Sequence, residues 1–168
     1  MEEILNKIYN DNEFLKIIDD LLHNETVLEM KNFRQHYETS CFDHCLEASY
    51  YCYKICKKFN LDYVSSARAA MVHDLFLYDW RERQPDRKGL HAFTHGKTSY
   101  ENASKIMEIN DLQKDMIVKH MWPLTIKLPR YRETYILTLV DKYCALSESY
   151  YEIKSKHSKK IQSKKALN

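Results

Sequence analysis

Apolar residues recur at Ile4, Leu5 and Ile8, then at Phe14, Leu15, Ile18, Leu21 and Leu22, intervals of three and four that predict amphipathic helices over about 2 to 34. The polar run "NDNE" at 10 to 13 separates two of them and offers a cap. A second helix opens at "TSCFDH", where Ser40 or Thr39 can cap the first turn and Asp43 suits its positive end, and it runs to Asn60. Asp62 then caps a third, "YVSSARAAMVHDLFLYD", closed by the polar turn "RERQPDRKG" with Pro85 and Gly89. A fourth helix is expected over roughly 97 to 109. Asp111 caps a fifth, "LQKDMIVKHMW", which stops before Pro123. The proline-bounded "PLTIKLP" reads as a loop, and a sixth helix fills 130 to about 153. The tail, 154–168, holds six lysines and little apolar material, and no order is expected of it.

Composition agrees with helices and little else. Two glycines and three prolines in 168 residues, against 44% hydrophobic residues, leave few of the tight turns that hairpins need. The expectation is an all-α, single-domain bundle of six or more helices over 1–153, with no internal repeat. A net charge of +2 asks for neither a nucleic-acid nor an acidic partner. "MEEILNKIYNDNEFL" lacks the pattern of a signal peptide, and no segment approaches the ~20 apolar residues of a membrane span, so a cytosolic protein without a membrane partner is expected. Five cysteines stand at 41, 45, 52, 56 and 144. The first four invite a metal-cluster reading, but on one helix positions 41 and 56 lie roughly 22 Å apart and share one stripe, the behaviour of small core residues.

What does not fit a plain core is a set of ionisable groups embedded in apolar helices: His44 in "FDHCLEAS", His73 and Asp74 in "MVHDLFL", His120 in "IVKHMWP" and Asp141 in "TLVDKYCAL", with His95 at the start of the fourth helix. A buried carboxylate without a partner costs several kcal/mol, roughly, so each of these groups needs a counterpart. Singly they have ordinary explanations: His120 can serve a helix C-terminus, and Asp141 can pair with a basic neighbour. Together, imidazole and carboxylate are the ligands of borderline divalent metals such as Mn, Fe, Co, Ni or Zn.

The order of these residues, His44, then His73-Asp74, then Asp141, resembles the H…HD…D signature of the HD-domain superfamily of metal-dependent phosphohydrolases. "TSCFDHCLEAS" is similar to that family's first-histidine helix and "LVDKYCAL" to its closing segment, so the resemblance spans roughly 34 to 148. It implies an all-α bundle with the site at its centre. His95 and His120 resemble the additional histidines of the branch that holds two metals. Carried over, one ion falls to His44, His73, Asp74 and Asp141, and a second to Asp74 as bridge with His95 and His120, while His91 competes with His95. Many two-metal relatives have a lysine three residues after the HD pair, where this chain has Leu77. A phosphate contact must then come from elsewhere. Lys97 is taken as a catalytic cation beside Asp74 and as substrate-binding, with Arg34, Trp122 and Arg130; Arg81, Arg83 and Lys127 are further candidates.

The implied activity is hydrolysis of a phosphate ester or anhydride, a nucleotide being the leading substrate class, through hydroxide held by one or two divalent ions (Mn, Fe, Co, Ni, Zn or Mg). Two alternatives stand beside it. One is a di-iron oxygenase of the same superfamily; the other is a regulator that holds a nucleotide or RNA without turnover, motivated by the basic tail. The sequence leaves the oligomeric state open.

Overall fold

The structure, a computed structural model, describes residues 2–36, 39–82 and 89–166, with the backbone alone at 2, 36, 151–152 and 155–166. Eight α-helices are described: α1 (Glu2–Tyr9), α2 (Asn12–Leu22), α3 (Glu25–Leu28), α4 (Cys41–Lys58), α5 (Tyr63–Met71), α6 (His91–Ala103), α7 (Asp111–Lys119) and α8 (Arg132–Ala166). A 3-10 turn follows α3, and two short antiparallel strands, β1 (Arg34–His36) and β2 (Thr39–Ser40), lead into α4. The architecture is the expected all-α bundle, with this small ribbon added. Among the described residues no helix is long and apolar enough to cross a membrane.

Local chemistry sets most of the helix starts. Asp11, Ser40 and Asp62 each accept a hydrogen bond from the backbone N–H three residues on, satisfying one of the orphan donors of the first turn. At α7 the cap is Asn110, one residue before the expected Asp111, because Asn110 and Gln113 close a reciprocal capping box. Helix α4 lies at the centre, packed against α5 and α8 and touched by α1 and the ribbon. Cys41, Cys45, Cys52 and Cys56 are all buried in its contacts and all free, as small core residues are. None belongs to a metal-ligand group among the described residues.

Three boundaries differ from expectation. Helix α5 ends at Met71, so His73 and Asp74 lie in the turn that follows it and not within a helix. There the chain bonds at short range, Val72 N–H to Ala69 O and Leu75 N–H to Val72 O, and it then passes through a left-handed residue at Leu77. Helix α6 begins at His91, six residues early, and contains Gly96. Glycine usually weakens a helix, but a Cβ at this position would stand 2.9 Å from the Ile117 carbonyl oxygen, so α6 and α7 approach only because none is there. Helix α8 continues past 153 to Ala166, through the segment expected to lack order. No Gly or Pro interrupts 132–166, and its seven lysines are good helix formers. The turn expected over 81–89 falls largely outside the described residues, and Arg83 with it.

Candidate metal centre

Four helices, the turn after α5 and one strand converge on the middle of the bundle. Helix α4 brings His44, the turn brings His73 and Asp74, α6 brings His95, the end of α7 brings His120, and α8 brings Asp141. All six are buried. They form two overlapping groups, His44–His73–Asp74–Asp141 and Asp74–His95–His120, in each of which one donor atom per residue lies within 4.8 Å of the others. Asp74 belongs to both. Its Oδ2 is 3.6 Å from His73 Nε2, while its Oδ1 is 3.2 Å from His95 Nε2 and 3.6 Å from His120 Nε2. His44 Nε2 stands 3.1 Å from Asp141 Oδ1.

The tautomers follow from the hydrogen bonds on the other side of each ring. His73 Nδ1–H donates to Ala70 O at 2.7 Å, His95 Nδ1–H to His91 O at 2.9 Å, and His120 Nδ1–H to Ile117 O at 2.8 Å. His44 Nδ1–H donates to the Glu148 carboxylate at 2.9 Å. Carbonyls and carboxylates accept only, so every Nδ1 carries a hydrogen, and each ring, when neutral, turns its Nε2 lone pair inward. Backbone carbonyls and a carboxylate in these positions are the outer partners that metal-bound histidines use.

Lone pairs and carboxylates pointing at one another repel unless a cation lies between them. His95 Nε2 and His120 Nε2 are 2.8 Å apart, and His73 Nε2 and Asp74 Oδ1 are buried without a hydrogen-bond partner among the described residues. The donor set therefore fits a divalent metal ion, held by His44, His73, Asp74 and Asp141, with room in the same donor logic for a second at Asp74, His95 and His120.

Without metal, protons take the cation's role. Burial penalises a charged His44, but the carboxylates of Asp141 and Glu148 outweigh it and hold the ring well above its usual range. His73 is likewise raised against its burial by Asp74, and His95 by Asp74. His120 is pushed down to about 3 by burial and by the charge on His95, since two facing Nε2 atoms share one proton. Asp74 and Asp141 stay ionised despite burial, because the rings around them are positive.

A cavity of about 230 Å³ opens over this cluster, bordered by Asp74, His95, His120 and Asp141 below and by Gln35, Trp80, His91 and Lys142 around it. His95, not His91, enters the ligand group. His91 lies above it, stacked on His95 at 4.5 Å and on Trp80 at 5.6 Å between ring centroids, with its Nδ1 3.0 Å from the Tyr78 hydroxyl.

The expected phosphate contacts are elsewhere. Lys97 follows His95 by two residues, about 200° around α6, so its side chain is 78% exposed and pairs with Glu101. Arg34 alternates with Gln35 on β1 and is exposed. Trp122 packs edge-on against Tyr135 at 5.5 Å, and Arg130 lines a separate depression with Lys119 and Lys127, its guanidinium over Tyr131. None of the four borders the cavity over the cluster. Three residues that do serve the site went unread in the sequence. Glu148 lies seven residues after Asp141, two turns along the same face of α8, and that spacing was a usable signal. Lys142 was adjacent to a candidate ligand. Gln35, whose Nε2 donates to Asp74 Oδ2, has no sequence signal at all.

Compared with known proteins, the chain matches no family model, no curated protein and no solved structure. What it does must be argued from the site itself.

Proposed function

We propose that the chain is a metal-dependent phosphohydrolase of the HD-domain type, acting on a phosphate ester or anhydride with a nucleotide as the leading substrate class. The observation that carries this reading is the pair of ligand groups sharing Asp74, with every histidine fixed as an Nε2 donor. Divalent ions at such a site supply a nucleophile from water near neutral pH and offset charge that builds on a phosphoryl oxygen. The chain's own residues do the rest. Gln35 holds the Asp74 carboxylate by its Oδ2, and Glu148 holds the His44 ring. Lys142, next in sequence to Asp141, places a positive charge at the cavity wall for the phosphate, in the role that Lys97 and Arg130 do not fill. The Trp80 indole, backed by His91, gives a flat side against which a base can stack, and the largely apolar wall excludes bulk water.

The test is a screen of nucleotides and simple phosphate esters with protein loaded with Mn²⁺, Fe²⁺, Co²⁺, Ni²⁺, Zn²⁺ or Mg²⁺. Phosphate release is expected with at least one metal, lost in Asp74→Ala, and with raised KM in Lys142→Ala but not in Lys97→Ala. Equal turnover by Asp74→Ala would refute the assignment. Tight nucleotide binding with no release by any metal form would favour the regulator, and a mixed-valent iron signal in aerobic protein would favour the oxygenase.

A further inference from the structure

The loop between α7 and α8, "PLTIKLP" at 123–129, turns its apolar residues outward. Leu124 is 49% exposed, Ile126 97% and Leu128 63%, at alternate positions of a stretch whose two prolines limit its backbone freedom. Leu124 and Ile126 border a groove of about 670 Å³ together with Phe93 and Tyr100 of α6 and Val118 of α7, and Phe93 is itself 53% exposed. Single exposed apolar residues need no explanation, but these stand together. The same groove carries Lys97, Lys114 and Lys127 against one acidic residue, Glu101, which pairs with Lys97. Arg130 and Arg132 follow the loop, both exposed, and no acidic residue stands between Asp115 and Glu133.

We infer that this face seats the protein on an anionic lipid surface, with Leu124, Ile126 and Leu128 entering the acyl boundary and Lys97, Lys114, Lys127 and Arg130 meeting the lipid phosphates. Two features select a bilayer over a protein partner. At 97% exposure Ile126 touches almost nothing of its own protein, so it projects, whereas a groove built for a peptide holds its side chains as walls. A projecting branched side chain needs surroundings that close round it on every side, and a fluid acyl layer does so without a matching pocket. The second feature is the ring of cations beside an apolar tip. Long lysine stems keep their methylenes against the apolar side chains while the ammonium groups reach the headgroups, where anionic lipid attracts them. The expectation of no membrane partner rests on the lack of a spanning segment, which does not bear on contact with one leaflet. The groove and the cavity over the metal cluster share no lining residue, so seating the loop takes nothing from the metal groups.

Flotation of the metal-loaded full chain with lipid vesicles tests this. Vesicles of phosphatidylcholine with about 30% phosphatidylglycerol should bind it at least tenfold more tightly than phosphatidylcholine alone, and about 0.5 M salt should remove most of that difference. Ile126→Ser removes no charge and disturbs no packing, and should weaken binding about tenfold. Lys114→Glu with Lys127→Glu should weaken it about 100-fold, in both cases with helical circular dichroism and metal stoichiometry kept. Absence of vesicle binding at about 1 mM lipid overturns the inference and leaves the face to a protein partner. Binding that falls with the lysine substitutions, yet is unmoved by Leu124→Ser, Ile126→Ser and Leu128→Ser together, overturns it as well, because attraction between charges alone then accounts for it.

Discussion

Replacing Glu148 with Gln isolates a part of the candidate metal centre that lies outside the ligand groups. The two side chains have the same shape, and the Gln oxygen can still accept from His44 Nδ1–H across the 2.9 Å now spanned by the carboxylate. What is lost is a buried negative charge, its side chain only 3% exposed, behind the ring. Opposite unit charges 4 Å apart interact by about 4 kcal/mol at an effective dielectric of 20. A metal on Nε2 leaves only part of its charge on the imidazole, so about 1.4–2.7 kcal/mol is the expected loss, equal to a 10- to 100-fold weaker metal affinity. Competition against a chelator of known affinity measures it directly. In the metal-free protein the same change should lower the His44 pKa, which is followed by nuclear magnetic resonance of the ring protons. Glu148→Asp keeps the charge but shortens the reach, and should lose affinity through misplacement of the ring. If Glu148→Gln binds metal within twofold of the wild type while His44→Ala does not, the claim that Glu148 tunes the centre is wrong.

Two further outcomes follow from the same geometry. In chelator-treated protein, the raised pKa values of His44, His73 and His95 mean that their protonation stabilises the fold fully below the ordinary 6.5 and is lost as pH rises through the higher folded values. His120, at about 3, works against them below 6.5, and the lowered Asp74 and Asp141 contribute above 3.8 and fail as pH falls, so Tm should be highest between those limits and decline towards pH 9. Metal-loaded protein should not show that alkaline decline, because the ion replaces the protons; a flat metal-free profile from pH 6.5 to 9 would contradict the argument. Gly96→Ala should cost about 1–3 kcal/mol in urea unfolding, since the new methyl group meets the Ile117 and Val118 carbonyls of α7 at 2.9 and 3.2 Å. By parting α6 from α7 it should also weaken the Asp74–His95–His120 group first, seen as a drop in metal stoichiometry, and unchanged Tm and stoichiometry would remove the packing role given to Gly96.

Much of this arrangement was legible from periodicity and caps. The helices opened by Asp11, Ser40 and Asp62 begin where side-chain acceptors can satisfy their first N–H groups, information held within four residues of chain. The buried groups that converge were legible too, because His44, His73, Asp74 and Asp141 are polar where their neighbours are apolar. Where sequence reading failed, the deciding contact was distant. Gly96 looks like an interruption until α7 is seen against it. Lys97, two residues after His95, points to the other side of α6 and lies outside the cavity, whereas Lys142, next in sequence to Asp141, lines it. Gln35 could be found only in three dimensions, since a two-stranded ribbon carries it 39 residues back to Asp74.

The carbonyls that hold His73, His95 and His120 come from Ala70, His91 and Ile117, each three or four residues earlier in the same turn. The orientation of each donor is thus settled by a single turn of backbone, before any long-range contact forms. Tertiary folding has a narrower task, to press together rings that are already committed to facing one another. In the metal-free protein the protons on His44, His73 and His95 offset that crowding, so an arriving cation displaces protons from rings that the packing of α4, α6, α7 and α8 already holds together, and its affinity is set by that packing as well as by the ligating atoms.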